Sequence, residues 1–210
     1  QGRPQEALAL LLQISGQSAL DPNVDFLLAI AQSMTGQKAD AVASYQRVLQ
    51  KTPENTIALM NMGADLCALG KLSEAEHALA RAQQIDPNSP MIALNLGNVH
   101  KAAGRTEAAL ACYNDATRLN PDYSEAWSNR GDTLCALGQT PEAIDSYQRA
   151  IALNPANIEA LNNLGLTFVE TKRFAEGIEH IERAIHIHPR FALAHNNLGI
   201  ALVRTQRYDQ

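Results

Sequence analysis

The chain has 210 residues, 46% of them hydrophobic but only 5% aromatic, so its core is built mainly from Ala, Leu, Ile and Val. That composition favours closely packed helices over a β-sandwich. The formal charge of −5 argues against a general nucleic-acid binder, which needs a concentrated basic surface to displace counterions, and no apolar run is long enough to cross a bilayer.

In chain order, residues 3–20 read as the second helix of a partial repeat. Five full repeats follow at 22–55, 56–89, 90–123, 124–157 and 158–191, and residues 192–210 hold a first helix and the start of a second. The frame comes from columns that recur every 34 residues: Gly63, Gly97, Gly131, Gly165 and Gly199; Pro53, Pro87, Pro121, Pro155 and Pro189; Ala7, Ala41, Ala75, Ala109 and Ala143, continued by Gly177; and Gly2, Gly36, Gly70, Gly104 and Gly138, broken by Lys172 and Gln206. Phase-locked repetition of this kind marks a solenoid. The Gly63 and Ala75 columns are small because two antiparallel helices pack closely there. The Gly36 column ends each first helix, where the next residue favours positive φ. The proline column separates one repeat from the next. Thr140-Pro141-Glu142 supplies an N-cap candidate, a proline at the first helical position and an acid at the positive end of the helix dipole. Leu161, Leu164 and Phe168 share one helical face, as do Ile144, Tyr147 and Ile151. The terminal Gln1 and the absence of a polar capping helix suggest a fragment of a longer protein.

Trp127-x-x-Arg130-Gly131-x-x-Leu134, then Ala143-x-x-x-Tyr147, then Pro155 resembles the tetratricopeptide repeat (TPR) pattern. Leu161-x-x-Leu164-Gly165-x-x-Phe168 and Ala109-x-x-x-Tyr113 repeat it, and the resemblance covers nearly the whole chain. It implies an all-α fold, a right-handed superhelical solenoid of antiparallel helix pairs without β-strands, with the first helices lining a concave groove. Three departures stand out: Arg130 replaces an apolar residue, His100 occupies the slot of Phe168, and Gly177 replaces Ala at an expected cost of about 1 kcal/mol.

Two residues before each glycine of the first column sit Asn61, Asn95, Asn129, Asn163 and Asn197, with Leu27 in that slot of the first full repeat. Asn is a mediocre helix former, and its side chain offers a donor pair and an acceptor that match a peptide group. The column resembles the asparagine ladder in the TPR arm of O-linked N-acetylglucosamine transferases, which implies a hold on the backbone of an extended peptide. Bonding to a neighbouring turn explains the same residues equally well.

By register, the inward-facing set includes Ile57, Met60, Cys67, Met91 and Leu94 in the N-terminal half. Farther on it includes Glu125, Ser128, Asp132, Glu159, Asn162 and Glu170, with Asn98, Lys101 and Asn196 completing the candidate peptide-binding residues. The wall shifts from apolar to acidic, which suits a partner with an apolar and a basic segment; a solvated helix face carrying charge without purpose predicts the same pattern. Paired basic residues for clamping a terminal carboxylate are missing, since Lys101 is the single inward basic candidate before Arg204.

No phosphate loop, nucleotide fingerprint or HExxH occurs, so no catalytic residue, metal ligand or cofactor is expected in this chain. His186 and His188 straddle a helix end, and a structural role for them and for His180 and His195 outweighs metal ligation. Cys67, Cys112 and Cys135 form no CxxC pair, which favours reduced interior thiols and a cytoplasmic setting. Three functions remain: a scaffold that binds an extended peptide in its groove, a substrate-recruiting arm of a larger enzyme such as an O-linked N-acetylglucosamine transferase-like glycosyltransferase, and a module that self-associates through its solenoid ends.

Overall fold

The computed structural model describes residues 4–17 and 21–205; Gly2, Gln206, both ends of the expected 3–20 helix and the helix expected after residue 205 lie outside that range. Among the described residues there are twelve α-helices and no strand: α1 (Pro4–Gln17), α2 (Pro22–Met34), α3 (Lys38–Lys51), α4 (Thr56–Ala68), α5 (Leu72–Ile85), α6 (Pro90–Ala102), α7 (Thr106–Leu119), α8 (Ser124–Ala136), α9 (Thr140–Leu153), α10 (Ile158–Glu170), α11 (Phe174–Ile187) and α12 (Ala192–Arg204). The chain divides into two compact units, residues 1–105 and 106–210. In unit 1, α2 packs on α3 and α4 on α5, with α1 against α2, α3 against α4 and α5 against α6. In unit 2, α8 packs on α9 and α10 on α11, with α7 against α8, α9 against α10 and α11 against α12.

The loops explain why the hairpins are so uniform. Gly36, Gly70, Gly104 and Gly138 all have φ between 72° and 83°. Each lets the chain close a bond from the third residue past the helix to the carbonyl five positions back, as in Lys71 N–H to Leu66 O (2.9 Å) and Gln139 N–H to Leu134 O (2.9 Å). Lys172 keeps the same turn at φ 65°, with Arg173 N–H bonded to Phe168 O at 2.8 Å. First helices begin on side-chain caps where Asp21, Asn55, Ser89 and Asn157 accept from backbone N–H groups one turn in. The expected Thr140 cap is displaced by one residue: α9 starts at Thr140, its cap is Gln139, and no side-chain cap bond forms there. A proline follows at once, and its preset φ with no N–H to satisfy starts the helix without that bond.

Glycine in the first helix sets the distance between the two helices of a hairpin. A Cβ on Gly63 would lie 2.6 Å from Leu79 Cγ, on Gly131 2.6 Å from Tyr147 Cε1, and on Gly165 2.6 Å from Ile181 Cγ1 and 2.8 Å from the Gly177 carbonyl oxygen. Gly177 has its own reason: a Cβ there would meet Val169 Cγ2 at 2.6 Å. The β-branched Val169 occupies the slot that Cys67 and Cys135 hold in other repeats, so the smaller residue on α11 accommodates the larger one on α10. Around these contacts lie clusters such as Leu134, Tyr147, Ala150, Leu164 and Phe168 in unit 2 and Ala29, Tyr45, Val48 and Ala58 in unit 1.

The first full repeat departs from this apolar scheme. Asp25 and Gln32 stand in register with Leu59 and Leu66 and are themselves buried. Arg47 Nε meets Asp25 Oδ1 at 2.8 Å and Lys51 Nζ meets Oδ2 at 3.4 Å, while Ser44 donates to Gln32 Oε1 at 2.7 Å. A buried carboxylate survives only with partners of this kind.

Gly165→Ala forces backbone to move at Gly177 and is expected to destabilise the protein by about 2 kcal/mol. Gly199, whose Cβ would meet nothing within 4 Å among the described residues, is the internal control: Gly199→Ala is expected to add about 0.5–1 kcal/mol by helix propensity. Urea unfolding followed by circular dichroism reads both, and equal effects would refute the close-approach explanation. Lys172→Gly removes a left-handed conformation costing an L-residue about 1 kcal/mol, so its thermal midpoint is expected above that of the parent chain in a melting scan.

Candidate functional site

The exposed side of the first helices carries most of the candidate residues, and the structure sorts them by accessibility. In unit 1, Ile57 and Met91 share a register as the second residues of α4 and α6 and are 55% and 49% exposed despite being apolar. Met60 and Leu94, one turn farther in, are buried. Asn61, Asn95 and Asn98 are half-buried and Lys101 is exposed. In unit 2, Glu125 and Glu159 occupy the register of Ile57 and Met91 and are exposed, as is Asn196. Asn129, Asp132 and Asn163 are half-buried, whereas Asn162 and Asn197 are buried at 0% and 3% exposure.

The asparagine column makes bonds within the fold. Asn163 Nδ2 donates to Asp132 Oδ1 on α8 at 2.8 Å, and Asn163 Oδ1 accepts from Asn162 Nδ2 at 2.9 Å. Asn197 Nδ2 donates to Asn162 Oδ1 at 2.9 Å, linking α12 to α10. In unit 1, the Asn61 amide faces the Tyr45 hydroxyl and opposes the rise in its pKa. An Asn side chain has two N–H groups and one carbonyl oxygen; at Asn163 one N–H and the oxygen are engaged within the fold.

Asp132 is the node of this network in unit 2. Its Oδ1 also accepts from the Tyr147 hydroxyl at 2.9 Å. Tyr147 reaches Cys135 Sγ at 3.8 Å, and Cys135 lies 3.5 Å from the Thr167 hydroxyl. Burial foremost, then the Asp132 carboxylate, raises the Tyr147 hydroxyl far above the usual phenol range. Tyr45 is pushed up to about 12 by burial and then by the Asp65 carboxylate, with the Asn61 bond opposing. Asp65 accepts from Lys38 Nζ at 2.6 Å and from the Ser33 hydroxyl at 2.8 Å. The sequence presents Tyr147 as a packing position, and nothing local to it signals that its hydroxyl ends on Asp132; the contact crosses the α8–α9 hairpin.

The remaining titratable candidates are held apart. His180 Nδ1 lies 2.9 Å from Glu176 O and its ring sits edge-on to Phe168; His195 Nε2 lies 2.8 Å from Pro189 O; the His188 ring abuts Phe191. Among the described residues no group of three or more His, Cys, Asp or Glu is placed to hold a metal ion. The three cysteines are thiols outside any disulfide and half-buried, and burial raises Cys67 above its ordinary value. Trp127 packs on the unit 2 core, donates to Pro121 O at 2.8 Å and carries the Arg130 guanidinium 5.6 Å from its ring centre. Arg130 also bonds Asn114 and Ser146, so the departure from an apolar residue is met by stacking and hydrogen bonds.

Comparisons with known proteins follow this geometry. A family model described as tetratricopeptide repeat matches residues 1–56 and 162–210, together half of the chain; a second of the same description matches 36–92 and 66–131, and one described as TPR repeat matches 131–172. Among solved structures, a chain of the APC/C hetero-tetramer Cut9–Hcn1 superposes with a TM-score of 0.84 at 18% identity over 95% of this chain, which spans 40% of that one. A thermophilic TPR protein of Thermus thermophilus superposes at 0.73 with 21% identity, covering 87% of this chain and 100% of that one. YrrB, a TPR protein with an unusual peptide-binding site, superposes at 0.64 with 21% identity over 89% of this chain and 96% of that one. The comparison with curated proteins found no match. At these identities the structural likenesses speak to the fold.

A tyrosine whose folded pKa lies above its unfolded value of about 10 stabilises the fold below pH 10 and loses that contribution as pH climbs through the raised value. For Tyr45 the window is therefore pH 10 to about 12. The urea midpoint is expected to fall across that window, and less steeply in Tyr45→Phe and Tyr147→Phe. Tyrosinate absorbance near 295 nm checks the assignment: if both phenols ionise near pH 10 in the folded chain, the hydroxyl network is not as described.

Proposed function

Because the chain belongs to the tetratricopeptide repeat family, we propose that it is a protein-interaction scaffold that binds an extended peptide along the exposed side of its first helices. Tetratricopeptide repeat proteins generally serve as protein-interaction scaffolds, and the peptide-binding site named for YrrB, a protein of the same fold, supports the reading. The observation that carries it is the row at one register: Ile57 and Met91 are about half exposed although apolar, and Glu125 and Glu159 follow at the same position. Exposed apolar residues gain nothing from the fold itself and gain on covering. The partner that suits the row has an apolar segment and a basic segment. The half-buried asparagines add the spare N–H of Asn163 as a backbone contact.

A displayed library of random dodecapeptides selected on the chain tests this. Enriched peptides are expected to lose at least tenfold in affinity with Ile57→Asp/Met91→Asp, and also with Asn95, Asn129 and Asn163 changed together to Ala. Gln83→Asp/Gln84→Asp on α5 is expected to leave affinity unchanged. Equal losses from the α5 pair, or no enrichment at all, would reject the groove.

A further inference from the structure

The cleft between the N-terminal ends of α8 and α10 is lined by Ser124, Glu125, Ser128, Asn157 and Glu159, with a volume of about 450 Å3. That lies within the range of ligand clefts, about 300–1,000 Å3, and far exceeds the roughly 30 Å3 of one water. Its floor is tied together: Asn157 Oδ1 accepts from Ala160 N–H, Asn157 Nδ2 donates to Ser124 Oγ at 3.0 Å, and Ser124 donates to Ala150 O at 2.9 Å. Three lining side chains have no partner within the protein among the described residues. Glu125 and Glu159 form no ion pair or hydrogen bond among the described residues, and no lysine or arginine lines the cleft.

The third group is the Ser128 hydroxyl. Ser128 is 5% exposed, lines the cleft and has no hydrogen-bond partner among the described residues. Acids in the first turn of α8 and α10 are explained by the helix dipole; a serine only 5% exposed whose hydroxyl opens onto the cleft with no protein partner is not. The contrast within its own column is direct. Asn162, one repeat on, is buried and bonded on both sides, to Asn163 and Asn197.

We propose that this cleft is the subsite for one arginine side chain of the bound partner, with the guanidinium between Glu125 and Glu159 and one N–H donated to Ser128 Oγ. The side chains without any partner are two anions and a hydroxyl that can accept, and a guanidinium offers five donors and no acceptor. Its planar fork reaches carboxylates on two neighbouring helices at once, which an ammonium, a point charge, does not do. The proposal rests on the groove reading above and assigns the anchor of its basic segment.

The probe is N-acetyl-arginine-amide, titrated into the 15N-labelled chain. Saturable amide shifts are expected in residues 124–129 and 154–160, at least tenfold weaker in affinity for the citrulline analogue and severalfold weaker for the lysine analogue. Glu125→Gln/Glu159→Gln is expected to abolish the shifts and Ser128→Ala to weaken them. Glu179→Gln/Glu182→Gln, the same change in charge on α11, is expected to leave them intact. Citrulline binding as well as arginine, shifts dispersed over the surface, or equal loss in the α11 pair would overturn the proposal. The dodecapeptide selection separates the two ideas. Enriched peptides that lack arginine, or that bind Glu125→Gln/Glu159→Gln unchanged, overturn the subsite and leave the groove standing. Arginine-specific shifts with no enriched peptide support the subsite and reject the groove.

Discussion

The close approach of two helices at a glycine governs the rest of the structure. With Gly63, Gly131 and Gly165 lacking a side chain, Leu79, Tyr147 and Ile181 rest directly on first-helix backbone. That contact fixes how the second helix sits on the first, and therefore which face of the first helix is consumed by packing. Since the helices are 13 residues long in the first position and 14 in the second, each hairpin repeats the same geometry. The residues left uncovered on the first helix then recur at one register, from Ile57 to Glu159. Function, on this reading, is written on whatever the glycine contact does not use.

Polar groups refine the apolar scheme. Tyr147 fills space against Gly131 and spends its hydroxyl on Asp132, which also accepts from Asn163 of the next hairpin. One carboxylate thus joins a helix pair internally and to its neighbour. In the first full repeat the core itself is altered, and Asp25 and Gln32 are matched by Arg47 and Ser44 across the hairpin. Replacement of one partner alone leaves a buried charge or amide without an answer, a cost of about 1–3 kcal/mol or more, so these positions are coupled.

Much of the fold was legible because repetition multiplies weak signals. A single glycine or proline says little; five at constant spacing state the helix ends, and the positive φ values at Gly36, Gly70, Gly104 and Gly138 follow from it. Lys172 in that column still adopts the turn, because the closing bonds of the loop are made by backbone and need no particular side chain. What was not legible depended on contacts between distant positions. Gly177 reads as a weak helix residue until Val169 is seen against it. The Thr140 cap fails by one residue, since a proline helix start needs no side-chain acceptor. Register also cannot report depth: Met60, Leu94, Asn162 and Asn197 share the inward columns but are buried, because a residue one turn from the helix start meets the neighbouring hairpin while one at the start does not.

The Asn163–Asp132 bond has a mechanical side. It is a polar rivet between α8 and α10 at the edge of an otherwise greasy seam, where water competes for both partners. A half-exposed polar bond of this kind opens more readily than the apolar contacts beside it. A partner strand laid across α8 and α10 in the proposed groove would act there as a splint against that opening.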